Sequence, residues 1–372
     1  MGCSSSTELQ NERVVRAHVV SQTVGPKALL DALYYRDFQT TRQLLRRSDA
    51  LRFVEYNDSI LCEACQGNAP IDIVRAIYTF SSRQALHKNR YGLTPLHYSC
   101  FAPIESDQVR NFLLNVAPQA AQMPDNSDHL PLHAAIRSRK KAKFIKKLLL
   151  AYPEAISISA QDCNTPFQLF LKTWEDKLEK IWCRHGNFLH VPHDHRDYER
   201  IEMAKKVFLV LIEMKTDKTI TERKMNLNYS KKWMPLLEIL QAKGIPPIFS
   251  QLLTELIPSE RTKQDDRGNF PLHLALQEPH VYHRLINFIC HTNPQTAVKL
   301  DQNGLSCMAL AIKNGGEWDL VSNVHMAAPD SIYIRDTVSK MYPFMLALCS
   351  PLSTINVAYE LLRLDPSVLK CE

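Results

Sequence analysis

The chain has 372 residues, 45% of them hydrophobic, with 10 Cys, 4 Trp and 13 Tyr, and a formal net charge of +6. That length exceeds one ordinary globular core and calls for several domains or an elongated stack, while the apolar and aromatic content excludes a disordered chain. The charge is too mild for wholesale nucleic-acid binding, and apolar runs such as Val207 to Ile212 fall far short of the roughly 20 residues of a spanning helix.

Residues 1–24 read as a flexible tail. Its start, Met1-Gly2-Cys3-Ser4-Ser5-Ser6, lacks the apolar core of a secretory signal and fits M-G-x-x-x-[ST]. Gly2 supplies the amine for N-myristoylation, Ser6 the matching hydroxyl, and Cys3 stands where S-palmitoylation adds a second chain. The second chain matters because one myristoyl group holds a membrane only marginally. Glu8 and Glu12 balance Arg13 and Arg16, so the tail carries no polybasic anchor of its own. The expected location is cytoplasmic and peripheral to a membrane, where cysteines stay as thiols. Cys62, Cys65, Cys100, Cys307 and Cys349 are expected to pack inside helices.

From residue 25 one phrase recurs. In Thr94-Pro95-Leu96-His97, Thr94 can cap a helix, Pro95 starts it where no amide is needed, and Gly92 permits the preceding turn. Leu96 points to a core, and His97 can tie the helix start to neighbouring backbone. Equivalent positions are Ala28, Ile60, Pro95, Pro131, Pro166, Pro235, Pro271, Cys307 and Pro343, most of them 35 or 36 residues apart, with one doubled interval between Pro166 and Pro235. A second series, Pro118, Pro153, Pro258, Pro294, Pro329 and Pro366, follows 22 or 23 residues behind, where a second helix should stop. Ser99, Ala135, Ala275, Ala311 and Ala347, four residues past the signature position, let neighbouring first helices approach; Phe170 and Ile239 break that rule.

These marks divide the chain into repeats 1–4 over 25–165, an enlarged fifth repeat over 166–232, and repeats 6–9 over 233–372. In the fifth, Phe167, Phe170, Trp174, Leu178 and Ile181 predict a long first helix of about 19 residues. A His-rich loop follows. A second helix spans Asp197 to Met214, with Ile201, Val207, Phe208, Leu211 and Ile212 for burial, and Thr216 to Lys232 returns as a polar loop.

The phrase T-P-L-H-x-A marks ankyrin repeats, and from about residue 25 onward the chain resembles that family. Leu-Pro-Leu-His at 130–133, Phe-Pro-Leu-His at 270–273, Tyr342-Pro343-Phe344-Met345-Leu346-Ala347 and Tyr359-Glu360-Leu361-Leu362-Arg363 are similar to the diatom-type members. The resemblance implies an all-α ankyrin solenoid acting as a non-enzymatic interaction scaffold, with a concave face and projecting turn tips.

His97, His133 and His273 recur at one repeat position and are expected to be structural. The sequence has no Walker-type loop, no His-Glu-x-x-His and no Gly-x-Ser-x-Gly, so neither enzymatic activity nor a small-molecule substrate is expected. The insertion gathers Cys183, His185, His190, His193 and His195, which support two readings, a solvated His-rich loop or a zinc site that would make the protein metal-responsive. Arg137, Arg139, Lys140, Lys141 and Lys143, continued by Lys146 and Lys147, form a basic run that can serve as a solvated edge or attract anionic lipid. For a protein partner the preferred anchors at the turn tips are Arg90, Tyr91, His129, Arg267 and Gln302, with Tyr91 and Arg267 foremost because aromatic and Arg side chains dominate hot spots.

Overall fold

A computed structural model describes residues 27–102, 107–216, 235–242, 244–337 and 339–367. Gly2, Cys3 and the polar segment beyond Thr216 lie outside the described residues. Those described are helical, with no strand among them, and form two compact units, one ending at Thr173 and the other beginning at Trp174.

In the first unit, helices α1 (Lys27–Tyr34), α2 (Phe38–Leu44) and α3 (Ser48–Tyr56) precede three helix pairs: α4 (Ile60–Gln66) with α5 (Ile71–Phe80), α6 (Pro95–Phe101) with α7 (Asp107–Val116), and α8 (Pro131–Arg137) with α9 (Ala142–Ala151). First helices pack on first helices, α4 against α6 and α6 against α8, and α5 packs against α7. Helix α10 (Pro166–His185) begins in this unit and ends in the next. The second unit continues with α11 (Arg196–Thr216) and four pairs: α12 (Pro235–Gln241) with α13 (Pro247–Leu256), α14 (Pro271–Ala275) with α15 (His283–Thr292), α16 (Cys307–Lys313) with α17 (Trp318–Ala327), and α18 (Pro343–Cys349) with α19 (Ile355–Leu364). The same rule of first on first and second on second holds from α12 to α19.

Both proline series mark real boundaries. Prolines 95, 131, 166, 235, 271 and 343 each open a first helix, and Cys307 does so in the degenerate repeat. The second series does more than end a helix. Pro118, Pro153, Pro258, Pro294 and Pro329 each start a short 3-10 turn two residues after a second helix stops. The residue before each is non-helical, as at Ala117 (φ −140°, ψ 67°) and Tyr152 (φ −147°, ψ 87°), because the proline ring clashes with a helical predecessor. The chain is thus turned at the same point after five of the helix pairs.

The small residues predicted at the helix contacts are buried, with Ala135, Ala275 and Ala311 wholly covered. Phe170 and Ile239, the exceptions, are buried too. Cys62, Cys65, Cys100 and Cys307 sit in the core as expected, but Cys349 is exposed: α18 turns that face outward, and Leu348 beside it is also exposed. The pair α18 and α19 presents Leu352, Ile355, Tyr359 and Leu364 to solvent.

The recurrent histidines stitch each repeat to the next. Backbone N–H groups of Thr94, Leu130 and Phe270 donate to Nδ1 of His97, His133 and His273 at 3.2, 3.0 and 3.2 Å. With Nδ1 accepting, the proton resides on Nε2, which donates to the carbonyls of His129, Asn164 and Lys299 at 3.0, 3.2 and 3.0 Å. Burial depresses all three pKa values, to about 4 for His97 and His133. Each imidazole is therefore neutral and fully used.

Candidate functional site

The turn between repeats is built by one device. Asn89 Oδ1 accepts from the N–H groups of Tyr91 and Leu93 at 2.9 and 3.0 Å, and Asp125, Asp265 and Asp301 do the same two and four residues ahead. The fourth residue of each turn is left-handed: Gly92 (φ 75°), Asp128 (φ 60°), Gly268 (φ 86°) and Gly304 (φ 75°). Such an Asx turn needs a short carboxylate or amide first and a residue tolerant of positive φ fourth. The recurring Asx-x-x-Gly is the signal that could have located it. Rigid turns hold the tip side chains in fixed places.

The predicted tip anchors divide accordingly. Arg90 and Tyr91 are exposed in the first unit, with the guanidinium 4.7 Å from the centre of the Tyr91 ring. His129 is not a free tip: its carbonyl takes the His97 bond, Nδ1 faces Asp125 at 3.7 Å, and Nε2 is 3.2 Å from an Arg137 nitrogen. It is only partly exposed, held by these contacts. Arg267 and Gln302 are exposed in the second unit and line a single cavity of about 850 Å³. Leu274 and Val281 supply apolar lining there, and the exposed carboxylates of Asp266 and Glu278 join Arg267 on its polar side. Sequence reasoning missed Glu278, which lies on the connection after α14 rather than at a tip.

The basic run does not form one face. Lys140 is buried, and its ammonium donates to the Ala102 carbonyl at the end of α6, where Arg110 also reaches. Burial, with Arg110 nearby, lowers the Lys140 pKa to about 8. Cations at a helix C-terminus meet its partial negative charge, so this lysine belongs to the stack and is removed from the predicted membrane patch. Lys141 pairs with Asp107 at 3.2 Å and Arg137 lies 3.9 Å from Asp162. Arg137, Arg139, Lys141 and Lys143 remain exposed.

The insertion also differs from a free loop. Helix α10 runs through Cys183 to His185, so two of the five predicted ligands are helical, and the loop is confined to residues 186–195. Phe188 and Val191 are buried, and Glu255, wholly buried on α13, fastens the loop. Its carboxylate accepts from Trp182 Nε1 at 3.0 Å, the Phe188 N–H at 2.5 Å and Gln251 Nε2 at 2.5 Å. Of the candidate metal ligands, His185 and His195 come together with Asp197. Cys183 is exposed; His190 pairs with Asn187, and His193 packs on Tyr198. These three do not join the cluster because the helix end and the pinned loop point them elsewhere.

No protein-family model matches this chain, and no similar curated protein was found.

Proposed function

We propose that the protein is a non-enzymatic interaction scaffold of ankyrin type, held at the cytoplasmic face of a membrane by myristoylation of Gly2 and palmitoylation of Cys3. The observation that carries the binding role is the cavity at the turns of the second unit, lined by Arg267, Gln302, Asp266 and Glu278 together with apolar Leu274 and Val281. A polypeptide partner with a basic segment fits that chemistry, since cationic side chains find unneutralised carboxylates beside apolar surface. The recurrent histidines support a structural role, because both ring nitrogens of each are already bonded and neither is left for catalysis or metal.

Tethering rests on the Met1-Gly2-Cys3-Ser4-Ser5-Ser6 start, and two acyl chains meet the requirement for stable anchoring. No described helix is long and apolar enough to cross a membrane. The scaffold then acts by raising the effective concentration of its partner at the bilayer. Membrane fractionation of the wild type and Gly2→Ala tests the anchor: the variant is expected in the soluble fraction. An unchanged membrane-bound share would remove the tethering claim.

A further inference from the structure

The enlarged repeat holds a side-chain cluster that stacking does not require. Helix α10 ends on His185, the pinned loop doubles back to His195, and α11 begins at Arg196, which brings His185, His195 and Asp197 to one place. One ligand atom from each lies within 4.8 Å of the others. His185 Nε2 and His195 Nδ1 both stand 3.5 Å from the same oxygen, Asp197 Oδ2, and the two rings meet edge to face at 5.3 Å; His195 Nδ1 also accepts from the Asp197 N–H at 3.1 Å, a bond that an ion on Nδ1 would displace. Asp197 is 1% exposed. His185 Nε2 is buried, and the Asp197 oxygen 3.5 Å away is too distant for a good hydrogen bond. Either ring nitrogen of a neutral imidazole can carry the proton, and in the tautomer that places it on Nδ1 the Nε2 lone pair faces the carboxylate.

We propose that His185, His195 and Asp197 bind a divalent transition metal of the zinc type. Two imidazoles and one carboxylate are a donor set that zinc accepts, with water completing its coordination, and imidazole disfavours calcium and magnesium. Without the ion, the Asp197 carboxylate is held by Arg184 and by Arg200, the latter at 2.9 Å. Both arginine side chains are more than half exposed, at 58% and 53%, so each can yield its oxygen to the ion and keep its charge in water. Their presence weakens the site relative to one without neighbouring cations. Cys183, His190 and His193 contribute nothing to it.

The test uses the full chain and zinc alone. Zinc is titrated in competition with a chromophoric chelator, and the same titration with cobalt records the ligand-field spectrum of the bound ion. One equivalent is expected. His195→Ala and Asp197→Asn should each lower affinity by about 10-fold or more, the range for losing a metal-site group, while Cys183→Ser, His190→Ala and His193→Ala should bind as the wild type does. Asp197 also pairs with two arginines, so Asp197→Asn can disturb folding; His195, 44% exposed at its side chain, decides the question if circular dichroism shows that it has. Absence of stoichiometric uptake, or uptake unchanged in His195→Ala, would overturn the assignment.

Discussion

Replacing His97 by glutamine should cost stability at neutral pH and restore it in acid. The neutral imidazole accepts from the Thr94 N–H and donates to the His129 carbonyl, so an added proton abolishes the first bond. Its folded pKa is about 4 against an ordinary 6.5, chiefly because it is buried. Since the folded value is the lower one, the unfolded chain takes up the proton first as pH falls. The stability is therefore whole above the unfolded value and is lost between about pH 6.5 and about pH 4, at about 1.4 kcal/mol per unit. Gln168 holds the corresponding place in the fifth repeat and exchanges both cap bonds with Thr165, at 3.0 and 3.2 Å. His97→Gln thus keeps the cap and gives up the bond to His129, worth about 1 kcal/mol net. The two effects balance near pH ~5.8: above it the wild type is the more stable, below it the variant. Equilibrium denaturation followed by circular dichroism across that range measures the crossing. A constant offset between the two proteins from neutral pH to about 4.5 would refute the reasoning.

Glu255→Ala leaves the Trp182 and Phe188 donors unmatched, and should cost about 1–3 kcal/mol while exposing the segment 186–195 to proteolysis; cleavage as slow as in the wild type would show that the carboxylate does not fasten the loop. Gly92→Ala and Gly268→Ala separate backbone strain from collision. A Cβ at Gly92 would stand 2.6 Å from the Asn126 backbone nitrogen, whereas none of the atoms around Gly268 lies within 4 Å of its added Cβ. Gly268→Ala should lose only the about 1–2 kcal/mol of a left-handed non-glycine residue, and Gly92→Ala clearly more, as read from thermal melts.

Much of this was legible in the prolines, because a ring without an N–H has few places in a helical repeat: it opens a first helix at Pro131 and turns the chain after a second one at Pro153. The long helix through Trp174 and Ile181 was legible from its apolar spacing. What spacing conceals is where a polar side chain goes once neighbours are stacked. Lys140 reads as one more cation in a basic run, yet the carbonyl of Ala102, 38 residues earlier, draws it inside. Asp197 looks like the first acidic residue of a helix, and its place beside His185 depends on how Glu255, far along the chain, holds the loop. Cys349 follows the apolar phrase of its repeat but faces outward.

We propose that the protein brings a partner to a membrane through the second-unit cavity. Proximity labelling in cells tests it most directly, comparing the wild type with Gly2→Ala and with Asp266→Lys/Glu278→Lys. The wild type should label membrane-associated proteins, Gly2→Ala should lose that restriction, and the charge-reversed protein should stay at the membrane while one or more strongly labelled partners disappear. An identical set of labelled proteins for all three would contradict the account.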